Sequence, residues 1–230
     1  MHRFRAVVFD MDGVLIDSER VIRRAAQQAG LDFGRELADA WFDEVIGLPG
    51  VRVEAALREL FGEGFPMDDY RLCFQRHYAA HVDRHGMQSK PGVTELLQEL
   101  TAGGVPIAVA TQTRSGHAQA ALAAAGLLDY LPVCVTGDLV AAPKPAPDVF
   151  LRAAAELGVE PGECIALEDS EIGIRAAVAA GMWTLMIPDL KPASAEAALL
   201  VREILPSMPH AADRVRVLLR DGAPLPGAAP

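Results

Sequence analysis

Residues 5–13, RAVVFDMDG, decide the architecture: a short β-branched apolar run stops abruptly at two acids and a glycine. A run this uniformly apolar is expected of a central strand in a parallel sheet, where both faces are covered by helices. Similar runs recur at 105–111 (VPIAVAT), 131–136 (LPVCVT), 163–168 (ECIALE) and 182–187 (MWTLMI), separated by Ala-rich stretches such as 116–125 and 172–180 that read as helix. The alternation predicts an α/β fold: a doubly wound, Rossmann-like sheet of about five parallel strands, with its ligand site at the carboxyl ends of the strands.

Some ninety residues separate the first two runs, against the roughly 12 that a simple crossover needs. Residues 19–88 read as helix throughout, with apolar residues at helical spacing at Ala38, Trp41, Phe42 and Val45 and at Leu72, Phe74, Tyr78 and Val82. Pro49-Gly50 and 62–66 are breaks, and Pro91-Gly92 marks the return. The expected division is therefore 1–18 with 89–221 as the α/β core, 19–88 as an inserted helical cap, and 222–230 (GAPLPGAAP) as a disordered tail.

Composition narrows the function classes. The 230 residues carry 21 Lys plus Arg against 31 Asp plus Glu, a formal charge of −10 with no basic stripe, which argues against nucleic-acid binding. No stretch approaches the roughly 18 to 20 apolar residues of a membrane helix, and no secretory signal is expected, since the short apolar run at the start ends in acids and is followed by no small-residue cleavage site. Cys73, Cys134 and Cys164 are odd in number and scattered, so a reducing cytoplasm is expected. A monomer is the expected state.

Asp10 and Asp12 end the first run two residues apart, a spacing that in extended backbone turns both carboxylates the same way. Two acids so close repel unless a metal or a proton lies between them. A second pair, Glu168-Asp169, ends the fourth run, so three or four hard oxygens converge, a donor set suited to Mg²⁺. Ser170 and its neighbours also read as a helix cap. Thr111 at the end of the second run and Lys144, stiffened by Pro143, Pro145 and Pro147, supply a hydroxyl and an ammonium able to hold a phosphate.

These residues resemble the haloacid dehalogenase superfamily. Its first motif reads Asp10-Met11-Asp12-Gly13-Val14, its second Ala108-Val109-Ala110-Thr111, its third the Lys144 of KPAPDVF, and its fourth Leu167-Glu168-Asp169-Ser170. Asp17-Ser18-Glu19 opens the insertion as in the subgroup with a helical cap, which includes β-phosphoglucomutase and small sugar phosphatases. The resemblance implies that Asp10 is a nucleophile forming an aspartyl-phosphate and Asp12 the acid and base. It further implies Mg²⁺ held by Asp10, the Asp12 carbonyl and Asp169 with Glu168 close by, and phosphate contacts from Thr111, Gln112 and Lys144. Arg52 and Arg114 are candidates for the substrate's polar end, with Arg71, Arg76 and His77 behind them, and the expected substrate is a small phosphorylated metabolite. Cap and core are expected to hinge near residues 17–18 and 90–91.

The function implied is a Mg²⁺-dependent phosphatase acting on a sugar or sugar-acid phosphate. A halide-removing dehalogenase would lack the second acid, and a phosphonatase would need a cap lysine, of which 19–88 has none. The alternative is a phosphosugar mutase, although the histidine and arginine usual in such caps fall on Ile22 and near Gly50, where Arg52 could substitute. A binding module without catalysis would carry a lesion in some motif, and none is present. His77, His81 and His85, at i, i+4 and i+8, are read as a solvated helix face rather than a metal site.

Overall fold

The computed structural model describes residues 4–45, 48 and 50–221. The tail expected at 222–230, and Gly47 and Pro49 of the loop in the insertion, lie outside the described residues. Two compact units are present: the residues up to Ile16 together with those from Gln88 onward, and Asp17–Met87.

The first unit is built on six strands, β1 (Ala6–Phe9), β2 (Ile107–Ala110), β3 (Val133–Val135), β4 (Cys164–Glu168), β5 (Trp183–Met186) and β6 (Glu203–Ile204). They lie in the order β3-β2-β1-β4-β5-β6 and every neighbouring pair is parallel. All residues of β1, β2 and β4 are buried, because both faces of the sheet are covered. Small side chains dominate one face: Ala6, Val8, Ala108, Ala110 and Ala166 pack with Val149, Phe150, Ala153 and Ala154 of a helix at Asp148–Leu157. Val8 pairs with Ala108 on one side and Ala166 on the other, so the strand order reverses beside β1. In a doubly wound sheet this reversal opens a crevice at the carboxyl ends of the strands on either side, here β1 and β4.

Ten helices are described: α1 (Ser18–Asp32), α2 (Asp39–Val45), α3 (Gly50–Phe61), α4 (Met67–His85), α5 (Val93–Ala102), α6 (Ser115–Ala124), α7 (Asp148–Leu157), α8 (Glu171–Ala179), α9 (Ala195–Leu200) and α10 (Met208–Asp221). α1 to α4 make up the second unit. Its core joins Ala26, Ala29, Phe42, Leu57, Phe61, Met67, Tyr70 and Cys73, with Phe33 and Phe65 packed against them. The rings of Phe61, Phe65 and Tyr70 meet edge-on or tilted at centroid distances of 4.6–6.3 Å. No helix among the described residues is long and apolar enough to cross a membrane.

The structure differs from the sequence reading at β6 and on α4. β6 was not expected; it is a two-residue edge strand fixed by Arg202 N–H to Thr184 O and Leu205 N–H to Met186 O, with no apolar run to announce it. Of the apolar residues at helical spacing on α4, Phe74 packs against the core of this unit while Leu72 is 60% exposed, and the fully buried positions are Met67, Tyr70 and Cys73. In an amphipathic helix two adjacent apolar phases can satisfy the same spacing, and packing chooses between them.

Candidate active site

The site is assembled at the carboxyl ends of β1, β2 and β4. The Asp10 N–H donates to Leu167 O at 2.9 Å, carrying the ladder one residue past β1 before the chain turns. The turn is tight: Leu15 and Ile16 N–H both donate to Met11 O, and Gly13 N–H returns to Ile16 O. Gly13 has φ +81°, a conformation that side chains rarely adopt, and a Cβ there would lie 2.2 Å from Asp169 Oδ2. The missing side chain lets Asp169, at the end of β4, close on the acidic turn after β1.

Lys144 is 3% exposed, and its Nζ donates to Asp10 Oδ1 at 2.5 Å and to Glu168 Oε1 at 2.6 Å, with the Phe150 ring 4.8 Å away. Burial disfavours the ammonium, but the two carboxylates outweigh it and hold Lys144 above its ordinary value. Burial also pushes the Asp10 carboxyl upward; Lys144 pulls it back, and Glu168 and Asp12 add to the upward push. Glu168 is fully buried, and its Oε2 accepts from Asp169 N–H, Ser170 N–H and Ser170 Oγ, each at 3.0 Å. Ser170 also caps α8 by accepting from Gly173 N–H. A Cβ at Gly173 would fall 1.7 Å from Glu168 Oε1, so this glycine makes room for the carboxylate.

Asp12 has different partners. Its Oδ2 accepts from Thr113 Oγ1 at 2.7 Å and is approached by Thr111 Oγ1 at 3.5 Å, while Thr111 Oγ1 accepts from Thr113 N–H at 3.0 Å. Gln112 Nε2 reaches Lys144 O at 3.4 Å and so braces the lysine loop, which contains a cis Lys144–Pro145 peptide. Asp10, Asp12, Glu168, Asp169, Thr111, Gln112 and Lys144 thus lie in one neighbourhood of one unit.

The peripheral candidates are placed differently. Arg114 is exposed at the start of α6, and Arg52 is exposed on α3 of the second unit. Arg71 is tied to Glu54 and Asp68, and His77 Nε2 lies 2.8 Å from Asp32 Oδ2. His77 therefore pairs with a carboxylate, whereas His81 and His85 stand with ring centroids 4.8 Å apart. The sequence reading passes over Thr113 and Gly173, while Ser170 holds the cap position expected of it; the one trace of Thr113 in the sequence is a second hydroxyl two residues after Thr111.

A carboxylate oxygen from each of Asp10, Glu168 and Asp169 lies within 4.8 Å of the others. These three acids, with Asp12 beside them, outnumber the single buried ammonium. An all-oxygen donor set of clustered carboxylates fits a hard divalent cation.

A family model for haloacid dehalogenase-like hydrolases matches residues 4–181. The CbbY protein of Cupriavidus necator is 33% identical, with 98% of this chain and 91% of that protein covered. The fructose-1-phosphate phosphatase YqaB of Escherichia coli is 32% identical over 78% of this chain and 94% of its own length. A solved structure of a CbbY mutant from Rhodobacter sphaeroides with xylulose-(1,5)bisphosphate superposes with a TM-score of 0.74 at 26% identity, covering 89% of this chain and 94% of that one. With two aspartates after β1, a hydroxyl after β2, a buried lysine and an acidic pair after β4, the chain belongs to the haloacid dehalogenase-like hydrolase family.

Proposed function

We propose that this hydrolase is a Mg²⁺-dependent phosphatase that cleaves a small sugar or sugar-acid phosphate by way of an aspartyl-phosphate on Asp10. The observation that carries the reading is the buried contact of Asp10 with Lys144, with Asp12 two residues beyond in a separate hydrogen-bonded setting. The names of the relatives support the substrate class, since one acts on fructose 1-phosphate and another is a complex with a sugar bisphosphate.

In this reading a carboxylate oxygen of Asp10 forms a bond to phosphorus as the ester P–O bond breaks, and Asp12 gives its proton to the departing alkoxide. Asp12, now a carboxylate, takes a proton from the water that attacks the aspartyl-phosphate; inorganic phosphate leaves and Asp10 is restored. Lys144 and the Thr111 hydroxyl steady the phosphoryl oxygens, and the Lys144 contact aims the Asp10 carboxylate and offsets part of the cost of ionising it in a buried site. Asp10, Asp169 and the Asp12 carbonyl, with Glu168 beside them, would hold Mg²⁺, which when bound offsets charge on the transferring phosphoryl. We assign Asp17–Met87 as the cap, and Gln112 and Arg114 of the α/β unit as contacts for the substrate's polar groups.

The test is phosphate release with Mg²⁺ across a panel of phosphorylated metabolites, with Asp10→Asn as control and hexose 1-phosphates followed for isomerised product. Release from a few related sugar phosphates that disappears in Asp10→Asn supports the proposal. Isomerisation with little release would make the protein a mutase, and turnover retained in Asp10→Asn would remove the nucleophile assignment.

A further inference from the structure

Thr113 has no part in the chemistry described above, yet it holds the Asp12 carboxylate closely: Oγ1 donates to Oδ2 at 2.7 Å. The loop after β2 is folded around that contact. Thr111 N–H donates to Val135 O at 3.0 Å, the Thr113 N–H holds the Thr111 hydroxyl at 3.0 Å, and Gly137 N–H reaches Thr113 O at 3.4 Å. A Cβ at Gly137 would lie 2.5 Å from Gln112 O, so that glycine admits the close approach of the loop. Two hydroxyls on one short, anchored segment thus bear on the same oxygen of Asp12, with Thr111 the more distant.

We infer that Thr113 is a positioning residue that aims Asp12 for proton transfer to the leaving oxygen. This rests on the reading of Asp12 as the acid and base. An aspartate side chain turns about two bonds, and a proton donor works only within about 2.6–3.2 Å of its acceptor. Holding Oδ2 restrains both rotations.

The experiment compares two leaving groups. A sugar phosphate expels an alkoxide that needs a proton, whereas p-nitrophenyl phosphate expels a weakly basic phenolate that does not. The value of kcat/KM covers the steps up to that departure, so hydrolysis of the aspartyl-phosphate does not obscure it. For Thr113→Val the ratio of kcat/KM on the best sugar phosphate of the panel to that on p-nitrophenyl phosphate is expected to fall about tenfold or more, since small misplacements cost up to about a hundredfold. Thr113→Ser, which keeps the hydroxyl, should restore the ratio. Asp12→Asn should show the same bias more strongly. Equal losses on both substrates in Thr113→Val, or a serine variant no better than valine, would overturn the inference while leaving Asp12 in its role. Equal losses in Asp12→Asn would remove the acid–base reading itself, and the inference with it.

Discussion

Lys144 and Asp10 stand 134 residues apart in the chain, and their side chains meet at 2.5 Å inside the protein. The lysine also meets Glu168, so one ammonium lies between two carboxylates at nearly complete burial. A buried charge is tolerable only while its partners remain, and removing one typically costs about 3–5 kcal/mol because the others are left uncompensated. Lys144→Met is therefore expected to lower unfolding free energy by about 3 kcal/mol as well as ending turnover. Asp10→Asn should end turnover with a much smaller loss, since Lys144 keeps Glu168. Urea denaturation of the two variants checks this, and equal losses would show that the pair is not the unit of stability.

Gly13 gives a second expectation. An added methyl would meet the Asp169 carboxylate at 2.2 Å and would also strain a backbone at φ +81°. Gly13→Ala should therefore displace Asp169 and raise the Mg²⁺ concentration for half-maximal phosphate release about tenfold or more, because a misplaced carboxylate weakens a hard-cation site. A Mg²⁺ titration of the two proteins reads this directly, and an unchanged midpoint would detach Asp169 from the metal.

Asp138 predicts an acid-side effect. The Thr136 hydroxyl at 2.7 Å and the Ser115 N–H at 2.9 Å donate to its carboxylate, with the Ser115 hydroxyl adding to them, and hold it down to about 2. A carboxyl depressed in the folded state stabilises above its unfolded value, here 3.8, and that contribution is lost as pH falls towards 2. Asp138→Ala should melt below the wild type at neutral pH, and the gap should narrow between about pH 4 and pH 2. A gap independent of pH would mean that the ionised carboxylate is not what matters.

The readable parts of this protein are those with a local cause. The run at 5–13 announces β1 and the acids because a buried strand must be apolar and its end must not be. Glu168-Asp169 and Lys144 were readable for the same reason, lying at strand ends or in a proline-stiffened loop. β6 is two residues long and borrows its hydrogen bonds from β5, so no periodicity could mark it. Thr113 acquires its partner only when a residue 101 positions away is folded against it. Arg71 looked like Arg52 in sequence; the structure commits Arg71 to Glu54 and Asp68, while Arg52 and Arg114 remain as exposed candidates. A single exposed cation leaves no pattern in a sequence.

Tyr70 provides a test in the helical unit. Its hydroxyl donates to Ala26 O at 3.2 Å, joining α4 to α1 within the cluster of Phe33, Phe61 and Phe65. Burial disfavours the phenolate and moves the phenol above its ordinary value. The folded state therefore keeps a proton that the unfolded chain gives up near pH 10, so stability falls as pH rises beyond that point, by about 1.4 kcal/mol per unit for a single such group. Tyr70→Phe should cost about 1 kcal/mol at neutral pH through the lost hydrogen bond, and it should abolish this share of the alkaline decline. Chemical denaturation at pH 7 and at pH 10.5 separates the two effects. A variant that loses stability with alkali as steeply as the wild type would show that the decline arises elsewhere and that the phenol is not held in its neutral form.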